Sequence, residues 1–240
     1  MRFLLAAPLV CIGLLAACDD DGGSSSETPT SNFPAEARRL APDTVLTAED
    51  LPGFDLLDVT DLEGQAELSA ECDIFDADVV LADSAATAES EAFTGPLDEQ
   101  VLEHIAIYET ADDAGAGLES TQDLRERCED EFKDAVEQVA QNELDRLGID
   151  IGVFGSIDVT IGGYDPPAAG DEIIGHRLNV DVDLVVTRQQ YNLDVMVVRV
   201  GRVVAALLYG RFGEVNPEAE GLLLERVTDK LSATDEALPE

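Results

Sequence analysis

Apolar positions near the middle of the chain first alternate and then recur at helical spacing. From Val101 to Tyr108 most positions are apolar and the pattern has the period of two that is typical of a strand. Thr110-Ala111-Asp112-Asp113 then has the form of a helix N-terminus, with a capping hydroxyl and two acids in the first turn. The helical pattern runs to Gly148, with apolar positions at Cys128, Phe132, Val136, Val139, Leu144 and Leu147. We therefore predict a central strand followed by the longest helix of the chain.

The second half of the chain has the period of strands. Apolar residues alternate or run together in residues 157–161, 176–186, 191–200 and 202–210. Gly201-Arg202 joins the last two runs and predicts a tight hairpin. Asn216-Pro217 then supplies a cap and a first-turn proline for a final helix, whose apolar side carries Leu223, Leu224, Val227 and Leu231. These patterns predict a meander of antiparallel strands with a helix packed on it.

The segment before Val101 is less regular. Thr47-Ala48-Glu49-Asp50 has the form of a capping box, but Pro52 and Gly53 end it after about one turn. Phe54 to Thr60 has the pattern of a strand, and the stretch around Cys72 predicts one or two more, with apolar residues Ile74, Phe75, Val79, Val80 and Leu81. No internal repeat is visible.

The first residues have the pattern of an export signal. Residues 3–17 are apolar or small and follow Arg2, which is the length and flank of a signal peptide rather than of a membrane-spanning helix. Leu15-Ala16-Ala17-Cys18 resembles a bacterial lipobox, which implies cleavage before Cys18 and a diacylglycerol on its sulfur. The alternatives are an ordinary signal peptide that leaves Cys18 free, or a chance cysteine.

The expected domain organisation follows from these segments. Residues 1–17 form the lipoprotein signal peptide. Residues 18–40 form the lipidated N-terminus and an acidic, Gly/Ser-rich tether, which has too few apolar side chains to offset the entropy of ordering. Residues 41–233 form one α+β domain, and residues 234–240 form a tail. The chain is thus expected to be anchored at the extracytoplasmic face of the cell membrane through lipid on Cys18.

Composition changes the list of possible partners. The formal net charge is −38, and Lys133 and Lys230 are the only lysines. Nucleic acid is excluded as a partner, because its binding requires Lys and Arg to neutralise phosphates. Stacking on sugars is disfavoured by four Tyr and no Trp. Between Arg39 and Arg125 the chain has 23 acidic residues and no Lys or Arg. This excess of acid indicates a solvated surface suited to high ionic strength. The alternative is a surface that binds calcium or a basic partner.

The cysteines predict one disulfide. Cys11 lies in the leader and Cys18 in the lipobox, so that Cys72 and Cys128 form the remaining pair in an exported, oxidising setting. A metal site is a poor alternative because no histidine lies near either cysteine in sequence. The predicted fold is therefore α+β, an antiparallel sheet packed against the long helix and the C-terminal helix as a two-layer sandwich with one disulfide.

The order of these elements resembles a known family. The chain resembles the extracellular sensor domain of mycobacterial PknH-type serine/threonine kinases in three places. They are the segment Leu46 to Gly53, the strand and capped helix that contain Val101 and Cys128, and the final strand and helix from Val195 to Leu231. Actinobacterial surface lipoproteins share that domain. The resemblance would cover residues 41–233 and implies a sensor-like domain, whereas a fold resembling PsbP and Mog1 proteins is an alternative.

Catalytic motifs are not found in the sequence. It has no Gly-x-Ser-x-Gly, no His-Glu-x-x-His and no phosphate-binding Gly loop, and His104 and His176 both lie on apolar strand positions. Two sets of acids are candidate calcium ligands, but neither has the spacing of an EF-hand loop: Asp73, Asp76 and Asp78, and Asp181 and Asp183. We predict no catalytic, metal or cofactor residues.

The expected function is that of a membrane-anchored extracytoplasmic lipoprotein with a non-enzymatic ligand-binding or sensing domain. Its partners would be membrane lipid through Cys18 and an unknown small molecule or envelope protein. Two other functions remain open. A secreted hydrolase would require two carboxylates that converge in a pocket with raised pKa values. A structural partner of another envelope protein would show a large exposed apolar patch.

Overall fold

The computed structural model describes residues 32–57, 72, 81, 83–146, 155–184 and 187–239. The elements in chain order are α1 (Phe33–Thr44), β1 (Asp55–Leu56), β2 (Ala86–Glu89), β3 (Phe93–Thr94), β4 (Gln100–Ile107), α2 (Ala111–Arg146), β5 (Gly155–Tyr164), β6 (Glu172–Leu184), β7 (Thr187–Val200), β8 (Val203–Phe212) and α3 (Pro217–Ala237). Within these residues no helix is both long enough and apolar enough to cross a bilayer.

The strands form one antiparallel sheet in the order β1-β3-β4-β8-β7-β6-β5, and β2 also pairs with β4. β4 lies between β3 and β8, which confirms its prediction as an interior strand. β7 and β8 form the predicted hairpin, with Val200 opposite Val203 and Gly201 in the turn at φ +55°. That backbone conformation is one that glycine adopts without the steric cost of a Cβ atom.

Two of the three predicted helix starts, at Thr110 and Asn216, begin helices of the structure. The Thr110 hydroxyl accepts a hydrogen bond from the Asp113 backbone N–H at 3.1 Å, and α2 begins at Ala111. The Asn216 side chain accepts from the Ala219 N–H at 3.2 Å, with Pro217 in the first turn of α3. Each cap satisfies a backbone donor that has no partner inside the helix.

The α+β class and the antiparallel sheet are confirmed, but the helices lie on both faces of the sheet. Alternate residues of each strand point to opposite faces. Ile105, Met196 and Leu207 pack with α1 and α3, whereas Ala106, Val197 and Ala206 pack with α2. The fold therefore has three layers, α1 and α3, then the sheet, then α2, where the sequence predicted a two-layer sandwich.

Helix α1 lies partly in the segment that the sequence assigned to the tether. It begins at Phe33, and its buried residues are Phe33, Ala37, Leu40, Ala41 and Thr44. At the other end α3 continues to Ala237, with Thr234 buried and hydrogen-bonded to the Thr44 hydroxyl at 2.8 Å. Buried residues therefore lie on both sides of positions 41 and 233, while the domain boundaries themselves stay a prediction.

The two ends of the folded region meet at the β7–β8 hairpin. The Arg202 guanidinium donates hydrogen bonds to the backbone carbonyls of Asp235, Leu238 and Pro239, at 3.2, 3.4 and 2.7 Å. Its Cζ atom also lies 5.4 Å from the centre of the Phe33 ring, at the start of α1. One side chain therefore holds the first and the last element of the fold together.

Several predictions lie outside the described residues. They are the signal peptide, Cys18 and most of the tether, the end of the strand at Thr60, the strands near Ile74, Phe75, Val79 and Val80, and the helix end at Leu147 and Gly148. The same holds for Asp73, Asp76, Asp78 and Val186.

Candidate functional site

A groove lies between α2 and the strands that α2 covers, and we name it the α2 groove. Its helical wall consists of Thr121, Leu124, Cys128, Glu129 and Phe132. Its strand wall consists of Ile161 from β5, His176 and Leu178 from β6, Val195 from β7, and Ala206 and Leu208 from β8. The strand residues reach one surface because they occupy alternate positions on four adjacent strands.

The α2 groove is apolar. Most of its lining side chains are aliphatic or aromatic, and the Thr121 hydroxyl already donates to the Gly117 carbonyl at 3.1 Å. The groove encloses about 60 Å³, whereas one water molecule needs roughly 10–15 Å³. Clefts of this chemical character hold ligands by burying apolar surface, with few polar groups to fix orientation.

The predicted disulfide is confirmed and forms part of this wall. Cys72 and Cys128 are bonded, with Cα atoms 5.5 Å apart, and Cys128 lines the groove. Both residues are buried with Leu118, Leu124 and Ala206. The bond therefore ties the middle of α2 to a residue outside the sheet and positions the helical wall.

The two histidines have the strand positions that the sequence predicted. His104 lies on β4 and is fully buried, with its Nδ1 atom 3.5 Å from a Glu89 carboxylate oxygen on β2. His176 lies on β6 and lines the α2 groove. The two residues lie on different strands, separated by β8 and β7, and do not form a joint constellation.

On the opposite face of the sheet, two carboxyl groups share one guanidinium. Arg177 on β6 donates from Nε and Nη2 to both Asp194 oxygens, the second at 2.9 Å, and from Nη2 to a Glu220 oxygen at 3.1 Å. The Asp194 and Glu220 side chains are 0% and 2% exposed. The Tyr164 ring covers the guanidinium, with 4.1 Å from Arg177 Cζ to the ring centre.

The electrostatics of this carboxyl pair follow from its burial. Desolvation, and the neighbouring Asp194 carboxyl to which Glu220 is hydrogen-bonded, raise the pKa of Glu220 to about 7. Desolvation and the same two acids also raise the pKa of the Tyr164 phenol. One guanidinium offsets one carboxylate, so the second carboxyl is more stable in its protonated form.

These three residues were not predicted as a site. Arg177 alternates with the apolar positions of its strand, as an ordinary solvent-facing residue does, and Glu220 has the position of an ordinary first-turn acid. Asp194 is the informative residue, because it interrupts the apolar run Leu193 to Val198. Two carboxyls converge here and the pKa of Glu220 is raised, but neither carboxyl is open to a substrate unless Arg177 or α3 is displaced.

Glu103 is a second buried carboxyl on the same face. It lies on β4 and accepts a hydrogen bond from the Leu46 backbone N–H at 2.6 Å through one oxygen. Its other oxygen has no hydrogen-bond partner among the described residues. Desolvation raises the pKa of Glu103 to about 7, although Lys230 and the Leu46 N–H oppose the shift. Lys230 itself pairs with Asp50 at 2.6 Å.

Asp181 and Asp183 lie on one face of β6, as their spacing required. Both contact Arg188 on β7, at 3.1 and 3.4 Å. The positive charge next to them is therefore a guanidinium of the protein itself. Across the described ranges, no three His, Cys, Asp or Glu side chains are grouped so as to hold a metal ion.

No model of a known protein family matches the chain, and no curated protein sequence matches it either. Among solved structures, the extracellular domain of PknH from Mycobacterium tuberculosis is similar, with a TM-score of 0.44 and 12% sequence identity. The match covers 82% of this chain and 97% of that chain. The structural neighbour is the kind of domain that the sequence resembles, whereas membership of the actinobacterial lipoproteins stays a prediction. A similarity of this size carries no inference about function.

Proposed function

We propose that the chain is a lipid-anchored extracytoplasmic protein whose domain binds a small apolar ligand in the α2 groove without catalysing a reaction. The observation that carries this proposal is the apolar lining of the groove, contributed by α2 and by four strands. The net charge of −38 disfavours a polyanionic ligand. An uncharged molecule with a compact hydrocarbon part fits both features.

Filling the groove should abolish binding. Val195 is half-buried in the groove wall, so Val195→Phe places extra ring volume where the ligand would lie. We expect saturable binding of the uncharged dye N-phenyl-1-naphthylamine to residues 18–240 carrying Cys18→Ala, produced without the apolar leader. After Val195→Phe the binding should be at least about tenfold weaker, a loss of roughly 1.4 kcal/mol. Titration followed by dye fluorescence gives both dissociation constants. The Cys18→Ala background removes covalent acyl chains that would compete.

Ile174→Phe is the matched control. Ile174 is half-buried on the same face of the sheet, two residues before His176 on β6, but it does not line the groove. Its dye affinity should stay within about twofold of the parent chain. Equal losses in Val195→Phe and Ile174→Phe, or non-saturable dye binding, would show that the groove is not the ligand site.

The anchor has a separate test. If Cys18 carries a diacylglycerol, the mature chain begins at that cysteine and fractionates with membranes, since two acyl chains give stable anchoring. Cys18→Ala should remove the acyl mass from the N-terminal peptide and abolish cleavage before residue 18, so that the apolar residues 3–17 stay attached. Mass spectrometry of that peptide checks both the cleavage site and the lipid. A parent chain whose N-terminal peptide begins at Cys18 but lacks the acyl mass would refute anchoring through this residue.

A further inference from the structure

The carboxyl pair Asp194 and Glu220 joins α3 to the sheet at a point where the charges do not balance. Glu220 belongs to the first turn of α3, whereas Asp194 and Arg177 are opposite each other on β7 and β6. Two acids and one guanidinium leave one excess negative charge when both acids are ionised. In a buried site such a charge is costly, and a proton held between the two carboxyls removes it.

The groups around Glu220 determine how much of the excess negative charge is neutralised. The charged and titratable groups that act on it or on its neighbours are Asp194 on β7, Arg177 on β6, Tyr164 on β5, and Tyr209 and Arg211 on β8. Arg211 is a second positive charge and lowers the pKa of Glu220, but among the described contacts only Arg177 forms an ion pair with the two acids. Glu218 in the same helical turn is exposed to solvent.

We infer that a proton shared between Asp194 and Glu220 strengthens the docking of the N-terminal half of α3 on the sheet, so that loss of this proton weakens the docking. The device is independent of the α2 groove, which lies on the other face. The docking of α3 on the sheet then depends on the pH outside the membrane. The change falls near neutral pH, where an isolated carboxyl on a protein surface would already be ionised.

The sign and size of the effect follow from linkage. Glu220 has a pKa raised to about 7 when α3 is docked and an ordinary value of about 4.3 when the helix is released. Between these values the docked state binds more protons, so docking is strongest below pH 4 and weakens as pH rises toward 7 and beyond. From pH 6 to pH 8 the docking equilibrium should fall about tenfold.

Hydrogen exchange of the full-length protein tests this inference. Peptides from residues 217–226 are followed by mass spectrometry at pH 6 and pH 8 at fixed ionic strength, and each rate is divided by its intrinsic rate. Protection in this segment should fall about tenfold in the parent chain. Glu220→Gln keeps the shape of the side chain and donates an N–H to Asp194 at every pH, so its protection should not change.

The controls separate this pair from other titrating groups. Glu218→Gln should keep the tenfold change, because that carboxyl is exposed. Glu103 also titrates near neutrality but contacts Leu46, far along the chain from this turn, so Glu103→Gln should keep the change in residues 217–226 as well. Asp194→Asn leaves one carboxyl for Arg177, and its protection should again be independent of pH.

Two results would overturn the inference. One is a parent chain whose protection in residues 217–226 is equal at pH 6 and pH 8. The other is a fall of the same size in Glu220→Gln or, if that variant does not fold, in Asp194→Asn.

Discussion

Replacement of Arg177 by methionine should cost about 3–5 kcal/mol of unfolding free energy at pH 8, the range found when one member of a buried ion pair is removed. Methionine keeps much of the aliphatic bulk but leaves Asp194 and Glu220 without the guanidinium that contacts both. At pH 5 the loss should be smaller, because protonation removes part of the uncompensated charge. Urea unfolding at the two pH values measures both losses.

Arg188→Met is the matched control for this prediction. Arg188 lies on the neighbouring strand β7 and pairs with Asp181 and Asp183, but its side chain is 64% exposed. Exposed ion pairs of this kind contribute about 0–1 kcal/mol. A loss for Arg177→Met no larger than that for Arg188→Met would mean that the carboxyl pair is hydrated and needs no guanidinium.

Loss of the disulfide should be the other large effect. In the chain-entropy model, a bond that closes a loop over a sequence separation of 56 residues contributes about 4 kcal/mol. The double variant Cys72→Ala and Cys128→Ala should therefore unfold at a much lower urea concentration than the oxidised chain. Equilibrium urea unfolding measures the difference.

Reduction of the parent chain is the control for the disulfide variant. With a reductant present, the parent and the double variant should unfold at nearly the same urea concentration, since both then lack the covalent link. If the oxidised parent is no more stable than the double variant, the bond does not constrain the unfolded chain as the model assumes.

The sequence predicted the elements whose period is carried by large apolar side chains. β4, the hairpin of β7 and β8, and α3 follow from runs of Val, Leu and Ile and from caps next to them. Helix α1 has the same helical spacing, but two of its buried residues are alanines and Pro42 lies inside it. Small side chains and a proline give a weak periodic signal, although Asn32-Phe33-Pro34 is a recognisable helix start.

The number of layers could not be derived from the period of the elements. Periodicity shows that a helix has an apolar side, but not which face of the sheet it covers, and β8 is apolar on nearly every position. Such strands are buried on both faces. That property was present in the sequence, and it would have indicated helices on both sides.

The two candidate sites differ in what the sequence contains about them. The carboxyl pair depends on strand register, which places Arg177 opposite Asp194, and on the position of α3, which adds Glu220. A charged residue inside an apolar strand was the only local sign. The α2 groove has no such sign, because it is a space that side chains of α2 and four strands leave between them.

The contacts of Arg202 with both ends of the folded region have a consequence for engineering. Because Phe33 and Pro239 contact the same guanidinium, a short linker could join these two residues when residues 1–32 are left out, and the domain could be circularly permuted or inserted into a loop of a host protein. The turn from Gly95 to Glu99, where Leu97 is 74% exposed, offers a place for the new termini. Such a permutant would leave intact the strands that carry the groove and the carboxyl pair. Its new N-terminus or C-terminus could be used to attach the domain to a solid support.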